Sequence, residues 1–251
     1  MQKQYDNIDA IRRSDLWEAR KSPMHYLYRV MNPPETTPAL QFGIAAHKYI
    51  LEPDTFWDDY IFVPKIDRRT KAGKEEYQKI LDSGKIPISP DDFEVITNMD
   101  AMIKANEAAS MLLKTGEHEV PVEWTDPETG EKCKCRPDVI TNIDGVTWIV
   151  DYKTTTTCEG SAFERSCRAY GYKLQAAMYT EGVFNATLEN CRFAFVAQEK
   201  TPPYAVRVYR CDPGFIEEGM EQYRDLINLV HKCKESGEWP GYEEKELVGD
   251  E

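Results

Sequence analysis

Three strand-like segments joined by two turns constrain the fold of this chain more than any other feature of its sequence. The segments span residues 117–125, 132–140 and 146–153. Turn-forming residues at 126–130 and 142–145 connect them, which predicts an antiparallel three-stranded meander. The third segment begins with an apolar run, so we expect this strand to lie at the centre of its sheet.

Capping residues, prolines and apolar spacing predict helices and further strands around this meander. The predicted helices span residues 14–20, 23–30, 39–51, 89–114, 161–170, 173–184 and 213–236, and the predicted strands 192–198 and 204–209. This order indicates one α/β domain over residues 1–242 with helices added at its N-terminal side. Residues 243–251 carry an excess of acidic side chains, and we expect them to form a tail.

Composition limits the cellular setting and the partners. No apolar run reaches the length of a membrane span, and residues 1–10 lack the apolar segment of a secretory signal. The seven cysteines show no regular spacing, which favours reduced thiols and a cytoplasmic protein with no membrane partner. A net charge of −13 disfavours a protein that coats nucleic acid non-specifically, but allows an enzyme with a local basic patch and divalent metals.

The second and third segments carry two carboxylates and a lysine. Asp151 and Lys153 alternate with Tyr152 and therefore point to the same face of a strand. The turn at 142–145 folds the strands so that Asp138 comes nearly level with Asp151. One interpretation is an ion pair at the end of a strand, and the other is an active site.

Paired carboxylates suit Mg²⁺, a hard octahedral ion that binds through one or two carboxylates, water and substrate phosphate oxygens. A lysine two residues further on can orient an attacking water and offset charge that builds on a phosphate. Two other places add polar groups to this region. Glu117, Glu119 and Glu123 share one face of the first predicted strand, with Glu119 level with Asp138. Gln175 and Tyr179 lie four residues apart on one helix face, as part of the site or as a buried polar cap.

His47 falls on the same predicted helical stripe as Leu40, Ile44 and Leu51. That position favours a histidine buried in the core with its hydrogen bonds satisfied. It would equally direct the imidazole toward a buried metal site, so both interpretations stay open.

Residues 64–79 form the strongest basic cluster of this acidic chain, in a loop that leads into a helix. The candidates for phosphate contacts there are Arg68, Arg69, Lys71 and Lys74. The alternative is a loop whose charges are simply solvated.

Ordered motifs from one end of the chain to the other resemble one enzyme family, exodeoxyribonuclease VIII, the RecE type of phage recombination exonuclease. The similarity covers about residues 10 to 242. The motifs are Gly43-Ile-Ala-Ala-His47, Leu51-Glu-Pro53, Arg68-Arg-Thr-Lys-Ala-Gly-Lys74, Glu119 before Trp124, Cys133-Lys-Cys-Arg-Pro-Asp138, Asp151-Tyr-Lys-Thr154 and Gly171-Tyr-Lys-Leu-Gln-Ala-Ala-Met-Tyr179.

This resemblance implies a restriction-endonuclease-like core of the PD-(D/E)xK superfamily, with a central mixed sheet flanked by helices. It also implies Mg²⁺-dependent hydrolysis of duplex DNA from its 5′ ends, with Mn²⁺ as a substitute, and a ring-shaped homo-oligomer that works with a single-strand annealing protein. Carried over, the metal ligands would be His47, Asp138, Asp151 and the main-chain carbonyl of Tyr152. Lys153 would be the catalytic lysine, Glu119 would assist, and Gln175 and Tyr179 would form the Gln-x-x-x-Tyr motif of RecB-type nucleases.

Two alternatives to this activity remain: a structure-specific endonuclease or nickase of the same superfamily, and a catalytically silent module that binds DNA ends. Some RecB-type nucleases bind an iron–sulfur cluster through one early and three late cysteines. This chain does not fit that pattern, because no cysteine precedes Cys133 and no C-x-x-C stands near the end of the sequence. Cys133 and Cys135 share a strand face, where they would pack under the site or bind a metal. Two thiolates alone do not make a closed zinc site.

Overall fold

Helices dominate the first part of the chain, and most strands follow residue 115. A computed structural model describes residue 5, residues 7–63, residue 66 and residues 69–244. The elements up to residue 114 are β1 (Ile11–Arg12), α1 (Arg13–Ala19), α2 (Pro23–Met31), α3 (Pro38–Leu51), a 3₁₀ turn (Pro53–Thr55), α4 (Phe56–Asp59), β2 (Tyr60–Phe62), α5 (Lys71–Asp82), β3 (Ile86–Ile88), α6 (Pro90–Ala105) and α7 (Glu107–Lys114). The later elements are β4 (Glu117–His118), β5 (Val122–Thr125), β6 (Lys132–Cys135), β7 (Val139–Ile143), β8 (Val146–Thr155), α8 (Gly160–Tyr170), α9 (Tyr172–Thr187), β9 (Cys191–Glu199), β10 (Val206–Arg210) and α10 (Pro213–Ser236).

The main sheet is mixed and has the strand order β10-β9-β8-β7-β4. Strand β8 lies in the middle, parallel to β9 and antiparallel to β7, which confirms the central position predicted from its apolar run. The hairpin between β7 and β8 turns at Asp144 and Gly145, both with positive φ, and its register pairs Val139 with Val150. The residue before Val139, Asp138, therefore lies opposite Asp151.

The predicted single meander is wrong, because β5 and β6 pair with each other in a separate sheet of order β1-β6-β5. The predicted strands 117–125 and 132–140 are each interrupted, at positions that lie side by side. Pro137 cannot donate to a ladder, and Glu119 adopts φ +53 two residues before Pro121. The Glu119 N–H donates to the Asp138 carbonyl at 3.1 Å, so the two breaks face each other.

The main sheet is packed on both faces, which explains the apolar character of β8. Because side chains alternate along a strand, Trp148, Val150 and Tyr152 face one core while Ile149 faces the other. The first core contains buried side chains of α3, α6 and α7, and the second contains those of α9, α10 and the smaller sheet. Asp151 and Lys153 follow the alternation of Ile149 and point toward the α9 side.

Local capping fixes the helix ends that the sequence predicts most accurately. Ser22 and Asp212 accept hydrogen bonds from the third residues of α2 and α10, and proline occupies the first position of both helices. The predicted helix 89–114 is instead two helices. Asn106 is extended, and its side chain accepts from the Ala109 N–H at 3.0 Å, which starts α7.

The stripe predicted for α3 is buried only at its end. Leu40 and Ile44 are 49% and 40% exposed, whereas Leu51 is buried together with Ala45, Ala46 and Ile50. Gly43 of α3 lies next to the end of β8. A Cβ on Gly43 would lie 3.7 Å from Thr154 Oγ1.

The described residues include only the start of the predicted acidic tail. Of the predicted acidic tail, only Glu243 and Glu244 are described, and residues 245–251 lie outside the described part. None of the helices in the described ranges combines the length and the apolar character that crossing a bilayer requires.

Candidate active site

The break between the two sheets brings Asp138 and Glu119 together. The left-handed backbone at Glu119 turns its carboxylate inward, where Arg136 Nε lies 2.7 Å from Glu119 Oε2. Asp138 is 9% exposed, and its Oδ2 accepts a hydrogen bond from the Tyr152 N–H at 2.6 Å. Strand β8 thus holds the Asp138 carboxylate through its main chain.

Asp151 and Lys153 converge on the same face of β8, as their spacing predicts. Lys153 Nζ lies 2.5 Å from Asp151 Oδ2, and the Gln175 amide donates a hydrogen bond to Asp151 Oδ1. Asp151 and Gln175 are 3% and 2% exposed. The lysine ammonium also lies 4.9 Å from the centre of the Tyr172 ring. Helix α9 therefore fixes both the carboxylate and its lysine.

His47 reaches the site from α3 on the opposite side of the sheet. Its Nδ1 lies 3.5 Å from Asp138 Oδ2, and its ring centre lies 4.9 Å from that of Tyr152. The side chain is 27% exposed, so it is neither free in solvent nor enclosed in the core. The imidazole is directed toward the acidic group, as a metal ligand would be.

Burial and crowding shift the pKa values of the groups that meet here. Desolvation and the nearby Asp151 and Glu119 carboxylates raise the pKa of Asp138 well above its usual range. Desolvation also raises the pKa of Glu119, although Arg136 opposes this shift. Burial lowers the pKa of His47 to about 4, so the imidazole is neutral at pH 7 and keeps a free lone pair.

These donors fit a hard divalent cation. One ligand atom each from His47, Glu119 and Asp138 lies within 4.8 Å of the others. Asp151 is also buried, and the partner of its Oδ2 atom in the described part of the chain is the Lys153 ammonium. Carboxylate oxygens with one imidazole suit Mg²⁺ or Mn²⁺ better than a soft metal. A cation would also relieve the crowding that raises the pKa of Asp138.

The predicted ligands His47 and Asp138 lie in the close group, together with Glu119, which was predicted to assist. Asp151 is held by Lys153 and Gln175, and the ligand roles of Asp151 and of the Tyr152 carbonyl stay predictions. Tyr152 supplies its N–H to Asp138, and its hydroxyl donates to Gln198 at 2.6 Å.

Tyr179 and the three glutamates of the first predicted strand are the other residues predicted to lie at or near the site. Tyr179 lies one turn after Gln175, but its ring packs toward Phe193, with the ring centres 6.4 Å apart. The shared face predicted for three glutamates is wrong, because only Glu119 turns inward while Glu117 and Glu123 are exposed and belong to different sheets. The positive φ of Glu119 breaks the alternation on which that prediction depended.

The basic cluster contributes to α5 and to the loop before it. Lys71 and Lys74 are exposed on the first turn of α5, where Lys71 Nζ lies 3.9 Å from Glu75. Arg69 is exposed just before this helix, and Arg68 lies outside the described residues. The role of this cluster in binding phosphate stays a prediction. Cys133 and Cys135 are buried in the core, with Cys133 Sγ 3.6 Å from the Tyr223 hydroxyl.

Sequence reasoning missed basic residues on α1 that lie beside the site. Arg13 and Arg20 line a pocket that also contains Lys153, with Trp17 between them in sequence. The signal was present, because residues 12–21 combine basic side chains with a tryptophan, a pattern typical of nucleic-acid contacts. Arg136 was also missed, although it directly precedes the Pro-Asp pair.

Comparisons with known proteins agree with this architecture. A family model described as "PDDEXK-like domain of unknown function (DUF3799)" matches residues 14–248. No curated protein matches the sequence significantly.

Among solved structures, a crystal structure named "Putative exonuclease" from Eubacterium rectale superposes with a TM-score of 0.65. The two chains are 17% identical, and the match covers 98% of this chain and 93% of the other. A second structure, SSO0001, is 16% identical over 74% of this chain and 85% of its own, with a TM-score of 0.32. The family model and the fold shared with the Eubacterium rectale structure together show a restriction-endonuclease-like core with a mixed central sheet between helices.

Proposed function

Because this chain belongs to the family of PDDEXK-like domains DUF3799, we propose that it is a nuclease that hydrolyses DNA with a divalent metal, Mg²⁺ in the cell. One observation carries the proposal. At the end of the central strand, Lys153 Nζ lies 2.5 Å from Asp151, beside a close group of His47, Glu119 and Asp138. Buried carboxylates that crowd one another destabilise the folded state, and groups whose pKa values are shifted in this way cluster at functional sites.

The roles of the side chains follow from their positions. His47, Asp138 and Glu119 would hold the metal together with Asp151, and the metal would polarise the phosphate and make water more acidic. Gln175 orients the Asp151 carboxylate, so the Lys153 ammonium is directed to one place. There Lys153 orients the attacking water and offsets negative charge that develops on the phosphate oxygens. The Tyr152 N–H fixes the rotamer of Asp138.

The finer assignment is a double-strand exonuclease that degrades linear duplex from 5′ to 3′ in phage-type recombination. The resemblance of the ordered motifs to RecE-type exonucleases supports it. The same resemblance supports a ring-shaped homo-oligomer and a single-strand annealing partner. Seven free cysteines, of which several are buried, suit the reducing cytoplasm as its location.

Digestion of a linear duplex labelled at either the 5′ or the 3′ end of one strand tests the activity and its direction. With Mg²⁺, early release of the 5′ label as mononucleotide and later release of the 3′ label is expected. Covalently closed circular DNA of the same sequence should stay intact, and a chelator should stop all digestion.

Each other result indicates a different activity for this chain. Cutting of the closed circle contradicts the exonuclease and indicates an endonuclease or nickase. Early release of the 3′ label contradicts the direction alone. Binding of duplex ends with no cleavage in Mg²⁺ or Mn²⁺ contradicts the nuclease and leaves an end-binding module.

A further inference from the structure

A pocket of about 450 Å³ opens beside Lys153, on the side of the lysine that faces α1. Its walls come from α1 and the two residues after it, the last turn of α2, the end of β8, the end of α8 and the start of α9. The side chains that matter for its chemistry are Arg13, Arg20, Arg29, Lys153, Tyr170 and Tyr172. Of these, only Lys153, the predicted catalytic lysine, belonged to the predicted active site.

The pocket is a concentration of positive charge in a protein with a net charge of −13. Two of its basic side chains form salt bridges, Lys21 with Glu18 and Arg29 with Asp15. Within the described ranges, Arg13 and Arg20 pair with no carboxylate. Arg13 donates to the Tyr170 carbonyl at 2.9 Å, and its Nε is buried with no hydrogen-bond partner. Guanidinium groups that have no carboxylate partner are suited to bind phosphate oxygens.

Aromatic rings line the same pocket. The Arg20 guanidinium lies 4.2 Å from the centre of the Trp17 ring, so that one planar surface covers another. Tyr170 is 58% exposed at the end of α8, and its ring centre lies 6.0 Å from that of Tyr172. An exposed ring beside open guanidinium groups is the arrangement on which unpaired bases stack while their phosphates are held. A base inside a duplex has no free face to offer such a ring, because neighbouring base pairs cover both of its faces.

We infer that this pocket binds an unpaired nucleotide of the DNA strand, with its base on Tyr170 and its phosphate between Arg13 and Arg20. The inference rests on the proposed function for one point only, that the bound strand is the one that is cut. Since Lys153 borders both the pocket and Asp151, the neighbouring phosphate of that strand lies next to the acidic group. The enzyme would then separate the end of a duplex before it cuts.

The test measures binding without cleavage. Fluorescence anisotropy follows a labelled oligothymidylate about six nucleotides long, within the site size of single-strand binders, in chelator. Tyr170→Ala and Arg20→Ala should each weaken binding by about tenfold, and Tyr170→Phe, which keeps the ring, should restore most of it. Arg20→Ala should also reduce the slope of log affinity against log salt by about 0.7.

Matched controls use exposed residues of the same types elsewhere. Arg192 lies 5.7 Å from the centre of the Trp148 ring at the other end of β8, and Tyr242 is 74% exposed. Arg192→Ala and Tyr242→Ala should bind like the wild type. Unchanged melting temperatures for all variants show that they fold.

Several outcomes overturn the inference. They are unchanged binding in Tyr170→Ala, equal weakening in the control variants, or a blunt duplex of the same length bound as tightly as the single strand. Complete competition by inorganic phosphate with no effect of Tyr170→Ala reveals a simple phosphate site and also overturns it.

The cleavage assay separates this inference from the proposed function. If the wild type degrades duplex but the pocket variants bind normally, only this inference fails. If the wild type never cleaves but binding depends on Tyr170, the proposed function fails instead.

Discussion

Desolvation and like charges act together on the Asp138 carboxyl. It is buried next to Asp151 and Glu119, and the Lys153 ammonium, followed by a hydrogen bond from the Tyr152 N–H, offsets only part of this unfavourable environment. A buried charge near like charges destabilises the folded state, by about 1.4 kcal/mol for every tenfold change in its acid dissociation constant. Such a group is retained when its function outweighs that cost.

We expect Asp138→Asn to stabilise the metal-free protein and to abolish stabilisation by Mg²⁺. The amide keeps the acceptor for the Tyr152 N–H but removes the charge. Relief of about 1 kcal/mol or more would raise the melting temperature by about 2–4 °C in a protein of this size. Thermal unfolding with and without Mg²⁺ measures both effects, and calorimetry should show that metal binding is lost.

The sign of the pH dependence follows from the raised pKa of Asp138. The native state retains this proton at a pH where the unfolded chain, with its ordinary value of 3.8, has lost it. The wild type therefore loses stability relative to Asp138→Asn as the pH rises above about 4, and the difference should be larger at pH 8 than at pH 5. Asp144→Asn, the same change in an exposed turn, is the control. A variant less stable than wild type at pH 8 would contradict the assigned electrostatics.

Lys153 acts on charge that exists only during the reaction, so its loss should affect turnover more than folding. We expect Lys153→Ala to reduce the rate of cleavage by about 100-fold or more while metal binding persists. Lys104→Ala removes a lysine that is 64% exposed and pairs with Asp100, and should cleave like the wild type. Cleavage near the wild-type rate in Lys153→Ala would remove this lysine from the mechanism.

At the scale of elements, the crossing of α9 and α10 positions the helix that carries Gln175. The two helices meet so closely at Gly219 that a Cβ there would lie 2.1 Å from the Lys173 carbonyl oxygen and 2.9 Å from Ala177 Cβ. Main chain cannot move aside as a flexible side chain can. Any larger residue must therefore separate α10 from α9.

Gly219→Ala should lower the free energy of unfolding by about 1–3 kcal/mol, the usual cost of overpacking. It should also slow cleavage, because a displaced α9 no longer presents Gln175 to Asp151. Gly214→Ala, in the same helix, places its Cβ 3.6 Å from the nearest atom, Asp212 Oδ1, and should change stability by less than about 1 kcal/mol. Urea unfolding compares the two variants. Equal stability would show that the helices can separate without cost.

At the scale of the whole molecule, charge is distributed unevenly. A net charge of −13 repels DNA from most of the surface, while the pocket beside Lys153 and the cluster around residues 68–74 concentrate positive charge. Local positive regions on an acidic protein favour capture of a strand end over coating of long DNA.

Neutralising the basic cluster tests its part in this distribution. We expect the double variant Arg68→Ala, Arg69→Ala to weaken duplex binding equally for all sequences. It should also flatten the salt dependence, by about 0.9 in slope for each DNA phosphate that the variant no longer binds. The metal site should be unaffected, whereas run lengths on long duplexes should shorten. The control removes Arg192 and Arg210, two arginines that flank Trp148. An unchanged salt slope and run length would leave the cluster as a solvated loop.

The sequence by itself determined the features that depend on neighbours along the chain. Caps and prolines located α2 and α10, turn residues located the hairpin before β8, and alternation placed Asp151 and Lys153 on one face. The opposition of Asp138 and Asp151 also followed, because a tight hairpin fixes its register locally. These predictions held since each depended on a few residues with strong conformational preferences.

Only the tertiary structure decided which faces are buried and where the sheet divides. The positive φ of Glu119 and the gap at Pro137 separate two sheets and turn one glutamate inward, which alternation cannot foresee. Leu40 and Ile44 stay exposed because α3 packs through the face that carries Ala45, Ala46 and Ile50. The cationic pocket joins α1 to Lys153 across more than a hundred residues of chain. Burial and long-range contact belong to the packed whole, since the free energy of a side chain depends on neighbours that its own segment does not contain.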